Sequence, residues 1–147
     1  MFRGRYLHTI DSKGRLSIPA KFRDKIIRDH SGQMILIKDL VDRCIAAYTP
    51  EGWEDLKAKI QGVSSMAEDV KAFRRLFFSE AEDCDIDRQG RILIPPRLRE
   101  YASLNREVLV AGVENNKIEI WDPSLWEEAV SKYDPKVIAK KMAELGI

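Results

Sequence analysis

Two five-residue runs concentrate the residue types able to do chemistry. Asp11-Ser12-Lys13-Gly14-Arg15 and Asp87-Arg88-Gln89-Gly90-Arg91 open the longer strings DSKGRLSIP and DRQGRILIP, which share the pattern D-x-x-G-R-[L/I]-x-I-P. An aspartate at the start of a tight turn accepts hydrogen bonds from amides a few residues on. A glycine in fourth place permits the positive φ that a three-residue hairpin loop with a bulge requires. Each run therefore predicts a rigid hairpin tip carrying an arginine beside its glycine. A ribbon of this kind fits a DNA major groove, where a guanidinium bonds two acceptors of guanine at once. Arg15, Arg88 and Arg91 are candidate DNA contacts, and Lys13, Lys21, Arg23, Arg97 and Arg99 candidate phosphate contacts that position the hairpins. Asp11, Gly14, Asp87 and Gly90 are assigned to the turn and to orienting the arginine, because an acid facing DNA is repelled. The alternative for Arg15 and Arg91 is structural: each could simply pair with its own aspartate across the hairpin base. Copy two carries Gln89 where copy one carries Lys13, so Arg15 is expected to be the main reader and Arg91 its weaker partner.

Other chemistries find little support. His8 and His30 have no Ser, Cys or Asp arrangement around them, and no phosphate-binding glycine loop is present. Cys44 and Cys84 stand apart without a neighbouring histidine or paired cysteine. That is too few ligands for zinc; buried free thiols are preferred over a disulfide in a reducing cytosol. The chain is expected to be no enzyme, with no catalytic residue, metal, cofactor or small-molecule substrate. A pure scaffold, with the two arginines holding the hairpins together, is the remaining rival. No apolar run approaches the roughly 18–20 residues that span a bilayer. The N-terminal MFRGRYLHTIDSKGR lacks the apolar stretch of a signal peptide, so the expected compartment is the cytosol, without a membrane partner. The net charge of +1 hides a pattern: residues 1–28 carry +6, 29–84 carry −4, 85–99 carry +2 and 100–147 carry −3. The positive segments surround the two motifs, which would steer a polyanion there.

The elements that hold the motifs come as a repeat. Ile10-Asp11, Gly14-Arg15 and Ile18-Pro19 align with Ile86-Asp87, Gly90-Arg91 and Ile94-Pro95. A second block aligns IAAYTPEGWED (45–55) with IEIWDPSLWEE (118–128), three residues closer to its motif. Each copy reads as strand (6–10; 84–86), turn, strand, helix (AKFRDKIIRDH; PRLREYASL), then two strands joined by a turn. In the first copy Leu16 and Ile18 are expected inward; the second, Arg91 to Ile94, is apolar enough to be buried on both faces. Phe22 with Ile26, and Leu98 with Ala102, should face the core, and Pro19 and Pro95 should end each strand and open each helix. Apolar stripes at helical spacing follow Pro50 (Trp53, Leu56, Ile60, Val63) and Pro123 (Trp126, Ala129, Val130, Tyr133), as core or subunit contacts. Another amphipathic helix is predicted over 66–82, with Met66, Val70, Phe73 and Phe77 on one face. The tail after Asp134 reads as a helix, docked on a partner or frayed.

The doubled motif, the opening MFRG and the YTPEGWE and WDPSLWE blocks closely resemble the MraZ family of the SpoVT-AbrB class, over essentially the whole chain. The resemblance implies a β-rich α+β fold in which tandem AbrB-like swapped-hairpin halves interleave into one pseudo-twofold barrel with flanking helices. On that basis 5–50 and 77–123 are the halves, 51–76 a helical connector and 124–147 a C-terminal helical segment. It further implies a cytoplasmic, nucleoid-associated homo-oligomeric ring that binds double-stranded DNA. Such a ring would regulate transcription of the division and cell-wall gene cluster containing its own gene. The resemblance associates Asp11 with Arg15, and Asp87 with Arg91, with DNA binding.

Overall fold

Strands of the two sequence copies are interleaved in one sheet. The computed structural model describes residues 1–63 and 66–147. Its elements are β1 (Gly4–Thr9), β2 (Arg15–Ser17), α1 (Ala20–His30), β3 (Gln33–Lys38), β4 (Ile45–Tyr48), α2 (Pro50–Gln61), α3 (Glu68–Leu76), β5 (Glu82–Asp85), β6 (Arg91–Leu93), α4 (Pro96–Tyr101), β7 (Glu107–Gly112), β8 (Lys117–Trp121), α5 (Pro123–Ser131) and α6 (Pro135–Glu144). A six-stranded antiparallel sheet has the order β1-β7-β8-β4-β3-β5, and β2 pairs with β6 in a separate two-stranded ribbon. Exchange copy one for copy two and the order reads the same from the other edge. Each copy's first strand thus lies beside the other copy's third: β1 on β7, with Tyr6 opposite Val110, and β5 on β3, with Met34 opposite Cys84.

This interleaving matches the expected swap, and the fold is α+β, but the sheet is open rather than closed. Among the described residues β1 and β5 are its two edges, so this sheet does not close on itself. Within each copy the expected hairpin is also reduced to its turn. Past the bridge between Ile10 and Leu16, the strand that begins at Arg15 leaves its own copy and pairs with the equivalent strand of the other, Leu16 opposite Ile92. Burial accounts for this choice. Leu16, Ile18, Ile92 and Ile94 are all at most 1% exposed and pack in one core with Phe22, Ile26, Leu98 and Ala102. Each such side chain contributes about 1.5–3 kcal/mol when taken from water. Pairing β2 with β6 lets all four do so together.

The alternation in the second copy is sharper than its composition suggests. Ile92 and Ile94 are buried, yet Leu93 between them is 57% exposed, so this strand is not buried on both faces. The helix predicted over 66–82 is shorter: α3 is followed by a 3₁₀ turn at Phe78–Glu80, and Met66 lies ahead of it, exposed. Phe73, Phe77 and Phe78 instead form an aromatic cluster with Trp53 and Tyr48, which draws the chain back toward the sheet. α4 ends at Tyr101, before the expected end of its helix. α2 and α5 start alike. Thr49 Oγ1 accepts the Gly52 amide and Asp122 Oδ2 the Leu125 amide, both at 3.1 Å, with proline next in each case. Such caps satisfy amides that the helix itself leaves unpaired. Trp126 packs edge-on against Trp121, but Val63, Val130 and Tyr133 from the apolar stripes stay exposed. The tail forms α6. Both cysteines are free. Among the described residues no helix is long and apolar enough to cross a membrane.

Candidate nucleic-acid interface

Each motif turn is built inside five residues. In the first, the Gly14 amide donates to Asp11 O at 3.0 Å and the Asp11 amide to Arg15 O at 3.0 Å. The second repeats this with Gly90, Asp87 and Arg91, at 3.0 and 2.8 Å. The glycines take φ of +86° and +76°, the left-handed region that a side chain disfavours. The aspartate completes the turn. Asp11 Oδ1 accepts the Lys13 and Arg15 amides at 3.0 and 2.9 Å, and Oδ2 accepts Arg15 Nε at 2.7 Å. Asp87 does the same for Gln89, Arg91 and Arg91 Nε, at 2.9, 2.9 and 3.1 Å. These donors stabilise the ionised carboxylate, so both aspartates, with the arginine amide as the largest cause, are held below the usual carboxylate range.

The aspartate–arginine pairing offered as the structural alternative is thus present in both copies, and it occupies only Nε. Among the described residues neither terminal nitrogen of Arg15 has a hydrogen-bond partner. That leaves the two-donor edge that suits guanine O6 and N7. The β2–β6 pairing brings Arg91 to the same place: its Nη1 lies 3.8 Å from Asp11 Oδ2. Two arginines 76 positions apart in the chain therefore face one carboxylate oxygen. They border a groove of about 650 Å³ whose lining also includes Ser12, Ser17, Arg99 and Arg106.

The remaining assigned cations are placed unequally. Lys13 and Arg88 are exposed on the hairpin tips, and Lys21 is exposed on α1 without an ion pair among the described residues. Arg23 and Arg99 lie across the opposite copy's turn. A Cβ on Gly14 would meet Arg99 Cζ at 2.9 Å, and one on Gly90 would meet Arg23 Nη1 at 2.5 Å. Both are half-buried, and Arg99 Nε is buried without a hydrogen-bond partner among the described residues. Arg97 turns away, bonding Glu82 Oε2 at 2.8 Å and Glu80 O at 3.4 Å. Arg106 and Asn105 line the groove without belonging to either motif; no spacing signal in the sequence marks them. A recess of about 830 Å³ beside α2 has Glu51, Glu54, Asp55, Asp83 and Asp85 in its lining and would repel a polyanion.

Two further clusters bear on other chemistry. His8 is half-buried beside the Ser17 backbone, and burial holds its imidazole below the ordinary value, so it is neutral near pH 7. Asp39, Cys44 and Glu119 bring their ligand atoms within 4.8 Å of one another, a convergence that their sequence separation conceals. Burial pushes the Cys44 thiol up, and also raises Glu119. The free sulfur there is therefore a neutral thiol near pH 7.

The MraZ protein family model matches the chain twice, over residues 1–76 and 77–144. Among similar proteins, the transcriptional regulator MraZ of Moorella thermoacetica is 43% identical over 149 residues, covering 100% of both chains. That of Acetivibrio thermocellus is 42% identical, again over 100% of both. That of Thermomicrobium roseum is 44% identical over 148 residues and 99% of each.

Proposed function

The chain belongs to the MraZ family, and from that premise we propose that it is a transcriptional regulator reading operator DNA through its two D-x-x-G-R turns. One observation carries this: Arg15 and Arg91, from separate copies, converge on Asp11 Oδ2 at 2.7 and 3.8 Å with their Nε edges held. Terminal nitrogens pre-oriented by a carboxylate lose little freedom on meeting a base, which favours specific recognition. Lys13 and Arg88 at the tips, with Lys21 on α1, serve as phosphate contacts. Arg23 and Arg99 support the tips, and Arg97 is spent on Glu82.

The target is the gene cluster for division and cell wall that holds its own gene, and the protein works in the cytoplasm on the nucleoid. The two halves, 5–50 and 77–123, act as a pseudo-twofold pair, and copies assemble into a ring. Weak contact by one hairpin pair becomes useful when neighbouring subunits meet repeated operator boxes, through high effective concentration. Exposed Val130 on α5, Tyr133 in the turn after it and Val137 on α6 support an apolar contact between copies.

A footprint of the purified protein on DNA upstream of its own gene tests the reading. Protection of repeated short boxes is expected, weakening steeply with salt. Salt-insensitive binding, or none, would overturn it. A monomeric mass by light scattering at micromolar concentration would remove the ring.

A further inference from the structure

We infer that Arg106, outside both motifs, is a phosphate contact for duplex DNA on the first hairpin's side alone. The inference rests on the DNA-binding proposal above and adds a residue and an orientation to it.

The backbone identifies the counterpart of Arg106. Where each first strand runs into its turn, the Ile10 amide donates to Arg106 O at 2.9 Å, and the Ile86 amide donates to Gly32 O at 2.8 Å. Arg106 and Gly32 thus occupy matching places, one with a cation and one without a side chain. The residue just before each of these isoleucines differs in the same sense: Thr9 in copy one, Asp85 in copy two.

Arg106 is exposed and has no ion pair among the described residues. It lines the groove that Arg15, Arg91 and Arg99 also line, where the one acid is Asp11, already bonded to Arg15. Four guanidiniums against one carboxylate leave an excess of positive charge, and the Nε of Arg99 adds an unpaired donor. Glu107, next along β7, does not line this groove. On the second side Arg88 stands at the tip and Arg23 lies over Gly90, but Glu82 is taken by Arg97 and the exposed Asp83 and Asp85 lie on β5. A duplex whose bases meet Arg15 therefore finds a phosphate partner in Arg106 and is repelled along β5. The two hairpins then contact the backbone unequally although their turns are equivalent.

The test is a fluorescence-anisotropy titration of the full chain with a mixed-sequence duplex of about 30 base pairs, across a salt series. Each phosphate contact adds about 0.9 to the slope of log affinity against log salt, so Arg106→Gln should reduce that slope by about one. Affinity at low salt should fall several-fold, to the same degree for any sequence. Arg106→Lys should keep the slope, and Lys71→Gln, a charge removal on α3 outside the groove, should leave both quantities unchanged. An Arg106→Gln protein with the wild-type slope overturns the inference while leaving DNA binding intact. An equal loss for Lys71→Gln also overturns it, by reducing the effect to net charge. Failure of the wild type to bind any duplex at low salt brings down the DNA-binding proposal and this contact together.

Discussion

At the first turn Asp11 Oδ1 takes the Lys13 and Arg15 amides at 3.0 and 2.9 Å; at the second, Asp87 Oδ1 takes those of Gln89 and Arg91 at 2.9 Å each. The two turns are the same object, and what surrounds them is not. β1 leads into the first with Arg5 and His8, while β5 leads into the second with Glu82, Asp83 and Asp85. Asp11 faces a second arginine, Arg91 at 3.8 Å, and among the described residues Asp87 has no matching contact from Arg15. A duplicated element has kept the geometry that folding needs in both copies. The charge pattern that a polyanion would read survives mainly in one.

That comparison separates structural from functional equivalence, and the two can be broken apart. The largest effects should fall on what the copies share. Leu16→Ala and Ile92→Ala each remove a core side chain from the β2–β6 ladder and should each cost about 2–5 kcal/mol in denaturant unfolding. A harmless Ile92→Ala would show that the halves are not equal partners in the fold.

Glycine substitutions come next and should differ. Both impose a left-handed φ on alanine, a strain of about 1–2 kcal/mol. At Gly14 the new Cβ would also lie 2.8 Å from Ile94 O, a backbone atom that cannot easily move. At Gly90 it meets the Arg23 side chain, which can swing aside. Gly14→Ala should therefore lower the melting temperature more than Gly90→Ala; the reverse order would contradict the packing described.

Binding should separate the copies most clearly. Arg15→Ala keeps the backbone bonds to Asp11, so the fold should melt as the wild type does. Its operator affinity should drop by about 1–3 kcal/mol, the worth of a bidentate base contact. Arg91→Ala should cost less, since Nη1 already leans on Asp11. Early melting of Arg15→Ala would return Arg15 to a purely structural role.

The smallest effect concerns pH. Both aspartates have depressed pKa values in the folded protein, so they contribute stability above the ordinary carboxylate range. That contribution is lost as pH falls through their lowered values. Amide exchange at Lys13 and Gln89 should report it, with Asp11, which faces two arginines, giving way at lower pH than Asp87. Coincident titrations would mean that the Arg91–Asp11 approach has no electrostatic weight.

Much of the site was legible because it is local. Asp, Gly and Arg within five residues specify the turn's hydrogen bonds, the positive φ and the hold on Nε. The Thr49 and Asp122 caps are equally short-range. The outward turn of Leu93 was not legible, because an apolar composition says nothing about which face a strand turns outward; the core left room only for Ile92 and Ile94. The phosphate assignments at Arg23, Arg97 and Arg99 came from charge alone. Packing then laid two of these side chains over the opposite turn and tied the third to Glu82.

The sequence by itself determined two identical turns, their capped helices, the repeat and an apolar set sufficient for one core. Each depends on hydrogen bonds or side-chain periods that span only a few residues. The tertiary structure decided which strand β2 would pair with, that the main sheet stays open, and that Arg15, Arg91, Arg99 and Arg106 share a groove. Those outcomes join residues far apart in the chain, such as Leu16 with Ile92 and Arg15 with Arg106. They follow from how two copies bury one set of side chains together, which no local pattern records.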